Sequence, residues 1–228
     1  MIETHFQKQL RKLQNSILNM TSLIEEQVKN VLRAVVNKNT ELIDQIIKNE
    51  KLVNNLDNKI EKQCLKLVVL HQPVALDLRI IFSAITINNN LERIGDLTAK
   101  IAEGINTCNY TSDELELIEY SKISNIVKSM VLFAITAIEN QDVEVANKII
   151  ILENELNEIS KLHLNTLKDY MKKNSAQIDE SLILYEMIHS LERIGDLTTN
   201  IAEEVYFIKE AENIRHKYEE SLFENEAE

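Results

Sequence analysis

The chain has 228 residues, 44% of them hydrophobic, and a formal net charge of −12. That length allows one large domain or two of ordinary size; the acidity excludes nucleic acid, whose phosphates need a basic face, and disfavours docking on anionic membranes. One proline and three glycines are too few to punctuate a sheet protein, so the expected class is all-α.

The chain starts Met1-Ile-Glu-Thr-His5, with neither a basic nor an apolar leader, so no signal peptide is expected. Apolar residues at spacings of three and four, from Phe6 through Ile17 and Ile24 to Val35, predict a first helix from about Glu3 to Asn37. A polar turn at Asn37–Asn39 leads to a second helix, capped by Thr40 and ending near His71. Gln72-Pro73 breaks the pattern, because proline is tolerated only in the first turn of a helix. A third helix then runs to about Asn106. Cys108-Asn-Tyr-Thr-Ser-Asp113 is the one polar stretch long enough to join two domains. Thr111 and Glu114 form a capping box for a fourth helix running through Leu115, Ile123, Met130 and Ile138. A fifth ends near Lys173 and a sixth near Glu210. No apolar run approaches the 18 residues of a membrane span. Cys64 and Cys108 have no CxxC spacing, which fits a reducing, cytoplasmic setting.

The second half repeats the first. Leu91-Glu-Arg-Ile-Gly-Asp-Leu-Thr98 returns unchanged as residues 191–198, and eleven of thirteen residues match between 91–103 and 191–203. Residues 37–54 align with 140–157 at a shift of 103, through Glu41/Glu144, Ile46/Ile149, Glu50/Glu153 and Asn54/Asn157. Duplication accounts for both frames. The expected architecture is two tandem three-helix bundles, residues 1–108 and 113–210, followed by an acidic tail over 211–228. Gly95 and Gly195 sit inside these helices, where glycine costs about 1 kcal/mol relative to alanine, so a close approach is expected there.

At about 100° per residue, Glu92, Asp96 and Glu103 share one wedge of the third helix, beside its apolar stripe. Glu50, Asn54, Asp57 and Glu61 share a wedge of the second. Antiparallel helices bring residues equidistant from their turn level with one another. Pro73 is the midpoint between 50–54 and 92–96, and Asn174-Ser175 lies midway between 153–157 and 192–196. Glu50 and Asn54 are therefore expected beside Glu92 and Asp96, and Glu153 and Asn157 beside Glu192 and Asp196. Such crowding of carboxylates calls for protons or a cation, and oxygen-only donors suit Mg, Mn, Ca or ferric iron. A single ExxxD is usually a solvated helix edge; the duplicated, matched pairs point to a metal or regulatory site. His189 is a candidate further ligand or a surface residue, and Arg93 and Arg193 are salt-bridge partners in the simplest reading. No P-loop, GxSxG or nucleophile–histidine arrangement occurs, so no enzyme activity is expected.

Gln72-Pro-Val-Ala-Leu-Asp-Leu-Arg79, the two Leu-Glu-Arg-Ile-Gly-Asp motifs and Ile201-Ala-Glu-Glu-Val205 closely resemble the PhoU family, over roughly residues 5–210. The resemblance implies two three-helix bundles and multinuclear metal clusters on E(D)xxxD pairs, here Glu50, Glu92, Asp96, Glu153, Glu192 and Asp196; it leaves Fe, Mn, Mg or Zn open. It implies a negative regulator of phosphate uptake and phosphate-starvation signalling. Its partners would be the ATPase subunit of the phosphate ABC transporter and the sensor histidine kinase, and homodimers are expected, without membrane insertion. Asn54 and Asn157 stand where the family has a second acid, Asn90 where aspartate is usual, and Lys100 where asparagine is frequent. Weaker metal binding follows from these departures. The alternatives are a carboxylate-bridged, ferritin-like metal protein and a metal-free helical adaptor.

Overall fold

The structure, a computed structural model, describes residues 4–211. Residues 1–3, and the expected acidic tail beyond Ala211, lie outside the described residues. Seven α-helices follow in order: α1 His5–Asn37, α2 Thr40–His71, α3 Ala75–Thr107, α4 Ser112–Leu117, α5 Tyr120–Asn140, α6 Val143–Lys173 and α7 Ile178–Glu210, the last preceded by a 3-10 turn over Ser175–Gln177. Helices α1–α3 form one bundle and α5–α7 the other, as their periodicity predicts. The stripe Leu13, Ile17, Met20, Ile24, Val28, Val31 and Val35 of α1 is buried, each residue three or four after the last. Buried side chains from both bundles join in one continuous core.

The helix ends obey local chemistry. Thr4 and Gln7 cap α1 reciprocally, satisfying two of the backbone amides that a helix start leaves free. Asn39, rather than the expected Thr40, caps α2 by accepting from the Leu42 amide at 3.0 Å. Asp142 accepts from Glu144 and Val145 at the start of α6. Gln72 ends α2 in the left-handed conformation (φ 45°), and Pro73 lies in the turn, two residues before α3.

Two further expectations differ from the structure. The fourth helix is not continuous: the Thr111–Glu114 capping box starts only the six-residue α4, and Glu119, at φ 44°, separates it from α5. The break lets three apolar side chains turn inward. Tyr110, Ile118 and Tyr120 are buried, and the two tyrosines donate to Val35 O at 2.6 Å and Leu32 O at 3.0 Å. Val35 belongs to the last turn of α1, whose carbonyls lack helical partners. Lys38 covers the Tyr110 ring, 4.6 Å from its centroid, and Glu119 pairs with the buried His163 of α6 at 3.1 Å. Second, α5, with 21 residues, is long and apolar enough to cross a membrane, contrary to the expectation that no segment is. It buries Ile123, Val127, Met130 and Ala134 and packs on α1, α6 and α7.

The bundles join mainly through α3 and α7. Lys100 of α3 reaches Glu186 of α7 at 3.3 Å, and Ile183 lies beside Gly104. Rising numbers on α3 meet falling ones on α7, so the pair is antiparallel. The α2–α3 and α6–α7 turns therefore point to opposite ends of the molecule.

Candidate functional site

The repeated glycines set the height of each site. A β-carbon on Gly95 would lie 3.1 Å from Ile24 Cδ1 and 3.2 Å from Val53 Cγ1; one on Gly195 would press on the end of Leu156. Val53 and Leu156 are 103 residues apart, the shift found for the second and fifth predicted helices. Each glycine thus lets three helices of a bundle close together, and the acids of the same motif emerge beside that contact. Thr98 and Thr198 donate back to Gly95 O and Gly195 O at 2.6 and 2.7 Å. Thr98 also donates to the buried Gln27 of α1 at 2.7 Å.

In the first bundle, Glu92 is half-buried and Asp96 exposed on α3, while Glu50 and Asn54 are half-buried on α2. Burial, first, and then the neighbouring charges of Asp96 and Asp57 push the Glu92 carboxyl above its ordinary range. Asp96 is raised too, by burial and then Asp57, against a hydrogen bond from Glu92 that favours its charged form. The α2 carboxylate whose charge bears on this pair is therefore Asp57, one turn beyond Asn54. Asp57 is held by Asn88 of α3, whose Nδ2 donates to Oδ1 at 2.6 Å. Asp57 lies on the wedge expected for the second helix but outside the donor set expected there; its spacing of three from Asn54 is the signal in the sequence.

In the second bundle, Glu153, Asn157, Glu192 and Asp196 are all half-buried. Burial raises the Glu153 carboxyl, a hydrogen bond to Thr199 opposes this, and the charges of Asp196 and Glu203 add to the rise. Glu203 is the counterpart of Glu103, so the repeat itself points to it. Glu192 pairs instead with His189 at 3.4 Å, and Asp196 with Arg193 at 3.1 Å. The α6–α7 register is that of α2–α3, Leu156 facing Gly195 as Val53 faces Gly95. With Asn147 meeting Tyr206, it brings Glu153 level with Thr199, about one turn past Asp196. What differs between the edges is Asp57, whose counterpart at the shift of 103 is Ser160.

Two of the departures noted in the sequence have their own roles. Asn90 is buried and donates to Thr86 O at 2.9 Å, and Lys100 is engaged by Glu186 across the bundle seam.

Each bundle thus has oxygen donors on two facing helices; burial and neighbouring charge raise Glu92 and Asp96 on the first edge and Glu153 on the second. A hard cation relieves that condition, so the donor chemistry fits one. The first edge fits better, because Arg193 already offsets part of the charge on the second. Among the described residues, no three His, Cys, Asp or Glu side chains are grouped to hold a metal ion.

The duplicated helices and their polar edges define a protein of two tandem three-helix bundles. The PhoU domain model matches residues 17–105 and 120–205, one copy on each bundle. The chain belongs to the PhoU family, whose members are accessory and regulatory proteins, not enzymes. It is 29% identical over 216 residues to the phosphate-specific transport system accessory protein PhoU homolog of Pseudomonas putida, covering 94% of this chain and 84% of that one. The homolog of Pseudomonas aeruginosa is also 29% identical, with 94% and 89% covered. The crystal structure of PhoU from Pseudomonas aeruginosa superposes with a TM-score of 0.86 at 27% identity, over 91% of this chain and 100% of that one. The phosphate transport system regulatory protein PhoU from Streptococcus pneumoniae shares the fold, with a TM-score of 0.81 at 24% identity over 92% and 99%.

Proposed function

We propose that this protein is a phosphate-transport accessory protein that restrains phosphate uptake and keeps phosphate-starvation signalling silent when phosphate is plentiful. It acts in the cytoplasm by binding the ATPase subunit of the phosphate transporter and the sensor histidine kinase. The observation that carries this reading is the match of both halves to the PhoU domain, over residues 17–105 and 120–205. Affinity capture from cells grown at high phosphate retrieves the ATPase subunit and the kinase; failure to retrieve either contradicts the proposal.

The acidic edges are proposed cation sites. Glu50, Asn54, Glu92 and Asp96 with Asp57 would serve the first, and Glu153, Asn157, Glu192 and Asp196 with Glu203 the second. Elemental analysis of protein purified without chelator finds metal, and Glu92→Gln with Asp96→Asn lowers it while helicity is kept. Unchanged metal content overturns the assignment.

The metal-free adaptor keeps support from the second edge, where Arg193 and His189 already partner Asp196 and Glu192. For a ferritin-like metal protein, the chain has one ExxH pair, Glu186 and His189, and these side chains engage Lys100 and Glu192. A di-iron bundle needs two such pairs facing inward.

A further inference from the structure

The α2–α3 turn carries a surface unlike the rest of the molecule. In a chain with 37 acidic residues, Asp77 is the only carboxylate between Glu61 and Glu92. Over the same stretch, exposed apolar side chains accumulate: Leu65 at 62%, Val69 at 73%, Leu70 at 57% and, in the turn, Val74 at 74%. Their positions follow from helical geometry. Ile60, Cys64 and Leu67 face the core; at 100° per residue, Leu65, Val69 and Leu70 share the opposite face with Lys59, Lys62 and Lys66. The three lysines are exposed, line one shallow depression, and make no ion pair among the described residues. The chain-wide charge of −12 is locally reversed here.

We propose that this end of the first bundle docks on the surface of an anionic phospholipid membrane. Alternating lysines and large apolar residues on a solvent-facing helix are the composition of an interfacial helix, whose side chains enter the headgroup boundary while the ammonium groups reach the phosphates. The shape also fits. Leu65, Val69, Leu70 and the lysines lie along the outer face of the second half of α2, one arm of a hairpin of helices of 32 and 33 residues, an exposed face that a flat, charged layer can meet side-on. A patch of this kind needs a partner, and with Glu61 and Asp77 its only carboxylates, the repulsion that bars the remaining surface from such a layer is much reduced. The proposal is independent of metal binding and places no helix across the bilayer.

The test is co-sedimentation of the full-length protein with phosphatidylglycerol-rich vesicles and with pure phosphatidylcholine vesicles. Binding is expected to the first only and to weaken with salt. Reversing Lys59, Lys62 and Lys66 to Glu lowers partitioning by at least about a hundredfold, at roughly fivefold for each lysine charge removed. Leu65→Ser with Val69→Ser and Leu70→Ser also lowers it, and circular dichroism verifies that both variants remain helical. Lys168→Glu with Lys172→Glu and Lys173→Glu, at the opposite end, leaves binding intact. Equal loss in that control, or equal binding to both vesicle types, overturns the proposal. So does wild-type protein that stays off both vesicle types; if the lysine variant then also fails to capture the transporter ATPase, the patch belongs to a protein partner.

Discussion

Gly95 and Gly195 occupy equivalent positions, yet alanine should affect them differently. At Gly95 the new methyl meets Val53 at 3.2 Å, and a β-branched side chain cannot swing aside. At Gly195 it meets the far end of Leu156, a flexible side chain that can shift rotamer. Gly95→Ala should cost about 1–2 kcal/mol net of its gain in helix propensity, and Gly195→Ala less than about 1 kcal/mol; urea denaturation measures both. The carboxylates give a second prediction. The folded-state pKa values of Glu92, Asp96 and Glu153 are raised, so the folded form holds protons that the unfolded chain has lost. The stability they contribute is full below the ordinary carboxylate range and is lost as pH rises through the elevated values. Metal-free protein should therefore gain stability on mild acidification, and Glu92→Gln with Asp96→Asn should flatten that dependence, raising Tm near neutrality by about 2 °C or less. The motif made this pair legible in the sequence. Asp57 and Glu203 were less so, because angular wedges locate a helix face without fixing how far a side chain reaches across to its neighbour.

At the scale of the elements, the six long helices and both hairpin turns could be read from periodicity and from Pro73. The break at Glu119 could not, since the sequence around it keeps an unbroken helical pattern and only tertiary burial of Tyr110, Ile118 and Tyr120 favours the kink. That burial has a measurable consequence. Tyr110→Phe leaves Val35 O in the last turn of α1 without its donor and should cost about 1–3 kcal/mol; Tyr120→Phe should cost less, because Leu32 lies one turn deeper in α1. Burial also pushes the Tyr110 phenol up to about 12. The stabilisation that comes with its neutral form persists below the ordinary tyrosine range and is lost as pH climbs towards that value. Alkaline unfolding should thus start in the α3–α4 connection, where Tyr110 packs on the end of α1, and Tyr110→Phe should reduce the pH dependence of stability there. Fluorescence-monitored denaturation at increasing pH tests this.

At the scale of the molecule, the duplication produces two halves that share a core but not a charge pattern. The first edge leaves its carboxylates largely uncompensated; the second partners them with Arg193 and His189. Titration of metal-free protein with a divalent cation should therefore fill the first edge at lower concentration, and Glu92→Gln with Asp96→Asn should remove the tighter phase and leave the weaker one. The proposed role as a restraint on phosphate uptake is tested most directly in cells that lack this gene and carry a reporter for a phosphate-starvation promoter. At high phosphate the reporter should be active without the protein and silent once the intact chain is restored. A reporter that stays silent without the protein, or active after its return, would contradict the account.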